Sequence, residues 1–122
     1  MKFHAILQPE TVSPDESNAA LRGFGMSYEQ VEEELSKISR LHIELDGSFV
    51  WVSAADVSHK VNGQITDDGK QVMYIEFRGV ATAEEIEPIL APLKSDQHEL
   101  KFQMLPGGEV LNEPQFKEHL AS

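Results

Sequence analysis

Two neighbouring stretches decide what this chain can fold into: LHIELDGSFVWVS, Leu41 to Ser53, and VSHKVNGQITDDGKQVMYIEFRG, Val57 to Gly79. Each is rich in β-branched and aromatic residues and is interrupted by an Asp-Gly pair. Asp-Gly between such runs signals a hairpin, because glycine accepts the positive φ that a tight turn needs. The first stretch therefore turns at Asp46-Gly47 and the second at Asp67-Asp68-Gly69.

A register can be argued for the second hairpin. A three-residue loop with Gly69 left-handed pairs Val61 with Ile75, Gly63 with Met73 and His59 with Phe77 on one face. The other face then pairs Lys60 with Glu76 and Asn62 with Tyr74. A two-residue loop would set Val61 against Glu76, and such a one-residue slip exchanges the faces of a whole strand. The three-residue loop is the expectation.

Phe49 to Ser53 is apolar on both alternations. A strand of that kind is covered on both sides, or has one side on helices and the other on a loop or partner. Trp51, the only tryptophan of the chain, is expected in the helix-covered core, as tryptophan is well buried on average. Val50, Val52, Val72 and Tyr74 then form a thin apolar patch on the opposite face. That patch is the candidate interaction face, since aromatic anchors concentrate binding energy.

Leu100 to Met104 alternates like a further strand, and Lys2 to Leu7 is a weaker candidate for another. Four helix starts share one form, a capping residue followed three positions later by Glu or Gln: Ser13 with Glu16, Ser27 with Gln30, Thr82 with Glu85 and Asn112 with Gln115. In each, the two side chains satisfy one another's free backbone N–H. The helices expected are Pro14–Arg22, closed by Gly23; Tyr28–Ser39; one after Thr82, kinked or split by Pro88 and Pro92; and Pro114–Leu120. The fold class is α+β: an antiparallel sheet of about four to six strands, with the two hairpins at its centre and helices on one face. Residues 1–122 are read as a single domain, a length that buries a sizeable core without staples.

Charge and composition narrow the function. The net charge is −11, which repels phosphate backbones and anionic lipid, so neither nucleic acid nor membrane is expected as a partner. A protein partner of basic character, or a second copy of the chain, fits better. There are no cysteines, so disulfides and thiolate metal sites are impossible, and a cytoplasmic setting is expected.

No motif calls for a cofactor. GFG at Gly23–Gly25 lacks the preceding strand of a dinucleotide fingerprint, and LPGGE at Leu105–Glu109 reads as a turn. Among the histidines, His42 and Glu44 share a strand face with no third ligand in sight, and zinc wants three or four. His59 is expected to be partly buried and hydrogen-bonded. If a pocket existed between sheet and helices, its polar liners would be His42, Glu44, Tyr74, Glu76 and Arg78. Two functions compete: a non-catalytic protein-binding domain using a sheet face or edge, and a small-molecule-binding or enzymatic domain using those liners. Acidic α+β proteins of this size include secretion chaperones and immunity proteins, an analogy of class with no motif behind it.

Overall fold

The computed structural model describes residues 2–11, 24–94 and 98–121. The chain is α+β. One seven-stranded antiparallel sheet runs in the order β2-β3-β4-β5-β1-β6-β7. Its strands are β1 (Lys2–Thr11), β2 (Leu41–Ile43), β3 (Ser48–Val52), β4 (Lys60–Asp67), β5 (Val72–Val80), β6 (His98–Met104) and β7 (Val110–Asn112). Three α-helices accompany it: α1 (Tyr28–Ser36), α2 (Ala83–Leu90) and α3 (Glu113–Ala121). The helix expected over residues 14–22, with its Ser13–Glu16 cap, lies outside the described residues.

The other helix starts form as their sequences dictate. Ser27 with Gln30 and Thr82 with Glu85 close reciprocal capping boxes. Asn112 and Gln115 exchange the same pair of bonds, at 2.8 and 2.9 Å. The second helix stops at Ser36, short of the expected Ser39, and Ile38 to Leu41 close the turn through backbone bonds instead. Pro92 limits the end of α2 to a 3-10 turn over Ala91–Leu93, the predicted split. Pro88 is accommodated inside α2.

Strand β1 is the main surprise of the topology. It is not an edge: it pairs with β5 on one side and β6 on the other, from Lys2↔Val80 through Thr11↔His98. The first hairpin, β2–β3, is consequently pushed to one end of the sheet rather than its centre. β7 adds a short last strand after the Leu105–Glu109 turn.

Alternation along the strands divides the sheet cleanly. Phe3, Ala5, Leu7, Phe49, Trp51, Val61, Ile65, Ile75, Phe77, Leu100, Phe102 and Met104 are buried together with Val31, Leu35, Ile86, Ile89, Leu90, Phe116 and Leu120 of the helices. Trp51 is 8% exposed, so the tryptophan is in the covered core as expected. At the centre Phe116 of α3 stacks on Phe102 at 4.1 Å and meets Phe3 edge-on at 5.4 Å. Phe49 lies over Gly63, its cross-strand partner. A β-carbon built there would fall 2.1 Å from the ring, so the ring takes the space that glycine leaves.

The register of β4 and β5 differs from the expectation. Val61 faces Gly79, Asn62 faces Arg78, Gly63 faces Phe77 and Gln64 faces Glu76. The loop is longer than three residues: Asp68 N–H donates to the Gln71 carbonyl, and the Asp68 carboxylate accepts from the Lys70 and Gln71 N–H groups. Partners move by an even number of residues, so side chains keep their faces while exchanging neighbours. Gly69 does adopt positive φ, 94°.

A bulge follows at Thr66/Asp67, where Thr66 pairs with Tyr74 but Asp67 pairs with Val72. The extra residue turns Val72 onto the covered face, where it is fully buried. Its N–H donates to the Met26 carbonyl at 2.7 Å, and its carbonyl accepts from Phe24 N–H at 2.9 Å. Val72 is therefore a core residue and no part of the opposite patch.

Candidate functional site

All the described helices pack on the covered face, leaving the other face of the sheet as a broad surface. Two complete rows of side chains cross it. His42, Val50, Asn62, Arg78 and His4 run side by side over β2, β3, β4, β5 and β1. Ser48, Gln64, Glu76, Ile6, Gln103 and Val110 form the next row, from β3 to β7. Above the first row stand Val52 beside Lys60, and Val80 beside Lys2. Below the second, Tyr74 stands beside Thr66, and Lys101 between Gln8 and Asn112.

Three of the four patch residues expected from sequence share this face: Val50, Val52 and Tyr74. The two valines are half-buried. Tyr74 is 36% exposed. The open face is thus mixed rather than greasy, with Val50, Val52, Val80 and Ile6 set singly among polar side chains.

The expected polar liners meet the same face and not a cleft under the helices. His42, Tyr74, Glu76 and Arg78 all project from it, whereas Glu44 sits in the turn after β2. With strands spaced about 4.8 Å apart, β2 and β5 are roughly 14 Å from one another. Only Glu76 and Arg78 line one concavity, a shallow 360 Å³ depression shared with Asn62 and Gln64 and floored at Gly63 and Phe77. Glu76 does not pair with Lys60; it takes a 2.7 Å bond with His4 Nε2 from the adjoining strand.

A second polar cluster lies at the start of α2, and sequence reasoning found only half of it. The Glu85 carboxylate accepts from Thr82 N–H at 2.9 Å and from the Ser53 hydroxyl at 2.7 Å, and stands 2.8 Å from His59 Nδ1. His59 Nε2 faces Asp56 at 3.4 Å. Burial pushes the Glu85 carboxyl up, but the bonds from Ser53, Thr82 and His59 outweigh it and hold the group below the usual carboxylate range. The expectation of a partly buried, hydrogen-bonded His59 is met. Nucleophilic catalysis needs serine bonded to its base. Here the Ser53 hydroxyl is committed to Glu85 and accepts from the Ala55 and Asp56 N–H groups. The cluster is a clamp joining the 53–59 loop to α2. The capping box was readable from Thr82 and Glu85, but no local signal announces partners 26 and 32 residues away.

Among the described residues, no group of three or more His, Asp or Glu is placed to hold a metal ion. No described helix is long and apolar enough to cross a membrane. Comparison with protein-family models, with curated proteins and with solved structures finds no match. The functional reading therefore rests on the open face itself.

Proposed function

We propose that this chain is a non-catalytic protein-binding domain, and that the open face of its sheet is the working surface. One observation carries the reading: the described helices all gather on one side, leaving half-buried Val50, Val52, Val80 and Ile6 and exposed Tyr74 among polar side chains on the other. Such a core of scattered apolar residues with polar surroundings matches the composition of non-obligate interfaces. The face is favoured over an edge because both edge strands, β2 and β7, are only three residues long. Short edges offer an added strand few backbone bonds. A cytoplasmic setting belongs to the proposal. The net charge of −11 favours basic chains at long range, whereas at contact the sign of the face decides.

Small-molecule binding is the weaker reading, since the depression at Asn62, Gln64, Glu76 and Arg78 is open and shallow where ligand sites are enclosed and largely apolar. The test is affinity capture with the native protein and with a Val50→Asp/Tyr74→Asp variant, followed by amide-exchange mapping of any captured complex. Capture lost in the variant, with protection over β3, β4 and β5, supports the face. Equal capture by both proteins, or protection confined to the helices, removes it.

A further inference from the structure

We propose that the open sheet face receives an acidic segment of a partner protein, seated on Lys2, Lys60 and Arg78. This rests on the protein-binding reading and fixes the partner's chemistry.

The argument begins with where the cations are. The chain has ten Lys and Arg against 21 Asp and Glu. Away from the open face most of the described cations have partners, the exception being Lys70 in the exposed β4–β5 loop. Lys37 pairs with Glu34. Lys94 and Lys117 share Glu87 and Glu113 in a four-membered network. Arg40 donates to the Val52 carbonyl. On the open face, Lys2, Lys60, Arg78 and Lys101 make no ion pair with any described residue, although carboxylates outnumber cations two to one. The carboxylates at register positions on that face are Glu76, which is bonded to His4, and Glu99 and Glu10, which stand opposite one another at the far ends of β6 and β1. Among the described residues none of the acids neutralises these four cations.

Geometry makes three of them one site. Lys60, Arg78 and Lys2 stand on the consecutive strands β4, β5 and β1. Lys2 is opposite Val80, Lys60 opposite Val52, and Arg78 sits between Asn62 and His4. With strands about 4.8 Å apart and same-face residues about 7 Å apart along a strand, the three stems root within about 10 Å of each other. Val52, Val80 and Val50 fill the gaps. A ligand matching this pattern carries carboxylates around one or two apolar side chains. Arg78 adds a planar fork suited to a carboxylate. A nucleic acid would need a longer basic track, and the surrounding negative charge opposes one. A peptide segment needs only this patch.

The test is selection from a randomised library of short peptides built from Asp, Glu, Val, Leu, Lys and Arg on the immobilised full chain. The baits are the native protein, Lys60→Glu/Arg78→Glu, and a charge-matched control, Lys37→Glu/Lys70→Glu, off the face. All substituted residues are exposed, and circular dichroism with urea unfolding verifies each fold. Enrichment of acidic-apolar peptides on the native and control baits, falling at least tenfold on Lys60→Glu/Arg78→Glu, is the expected result. Enrichment of basic peptides, no enrichment, or equal enrichment on all baits overturns the proposal. Sedimentation equilibrium covers a remaining occupant: self-association abolished by Lys60→Glu/Arg78→Glu would make it a second copy and overturn the foreign partner. Loss of acidic selectivity with the Val50→Asp/Tyr74→Asp capture result intact would sink this inference alone and leave the face standing.

Discussion

Changing Glu85 to Gln tests the clamp at the start of α2, and its size follows from the bonds. The carboxylate accepts from Thr82 N–H, the Ser53 hydroxyl and the His59 ring at 2.7 to 2.9 Å. Glutamine keeps one oxygen, enough for Thr82. Its NH₂ must then face Ser53, whose oxygen already accepts from Ala55 and Asp56, and whose hydrogen loses its acceptor at a residue only 3% exposed. Bonds to a charged group contribute about 1.5–3 kcal/mol each, neutral ones about 1, and removing the charge returns part of its desolvation cost. The net expected loss is about 2 kcal/mol at pH 7, a fall in Tm of roughly 6–10 °C for a domain of this size. The pH dependence has a definite sign. Burial raises the Glu85 carboxyl, the bonds from Ser53, Thr82 and His59 lower it, and the result lies below the ordinary value. A folded pKa below the unfolded one contributes stability that is complete above about pH 4.3 and fades as pH falls through the folded value. The gap between native protein and variant is therefore widest near neutrality and closes in acid. Urea midpoints of both proteins, followed by circular dichroism from neutral pH down to about pH 3, measure it. A gap of unchanged size at both ends, or a variant more stable at neutral pH, would refute the clamp.

Three further outcomes follow from the packing. Val72→Asp places a charge at a fully buried position and should cost over 3 kcal/mol, whereas Val50→Asp on the open face should cost under about 1; paired urea titrations decide between these faces. Gly79→Ala sets a β-carbon 1.9 Å from the Lys60 carbonyl at φ 152°, so the strands must part; we expect more than about 2 kcal/mol, read from the same midpoints. Phe116→Ala removes the ring stacked on Phe102 and should cost about 3–5 kcal/mol, with α3 amides exchanging first because Phe116 and Leu120 are its only buried side chains.

What the sequence made legible was local. The Asp46-Gly47 and Asp68-Gly69 turns, three capping boxes among the described residues and the α2 break at Pro92 all depend on neighbours a few positions away. What escaped was long-range. Nothing within Lys2–Leu7 says that it will be flanked by β5 and β6, because its partners lie more than 60 residues on. Val72 lies on the face opposite to the one its alternation with Tyr74 predicts, because one bulge inverts every face assignment beyond it and bulges leave no clear mark in alternation. At the candidate site β-branched residues do not report burial. Val50 and Val52 report only that a pleated strand suits them. Their lysine, arginine and asparagine neighbours were equally informative, but became so only once the register aligned Asn62 with Arg78 and Lys2 with Val80.

Net charge and local charge act over different distances, and this gives the proposed acidic partner its selectivity. Beyond a Debye length, about 8 Å at physiological salt, an approaching anion meets the screened field of a body carrying −11. A long polyanion cannot lay one end on Lys2, Lys60 and Arg78 without bringing the rest of its charge against the acidic remainder. A short acidic segment can, since its carboxylates all lie within the reach of the patch. The acidic surface then does more than confer solubility: it rejects the extended anions that three exposed cations alone would attract. Salt should separate the two effects. Raising ionic strength weakens the contact pairs but also relieves the long-range repulsion, so binding of an acidic segment here should fall less steeply with salt than three contacts on a neutral protein would.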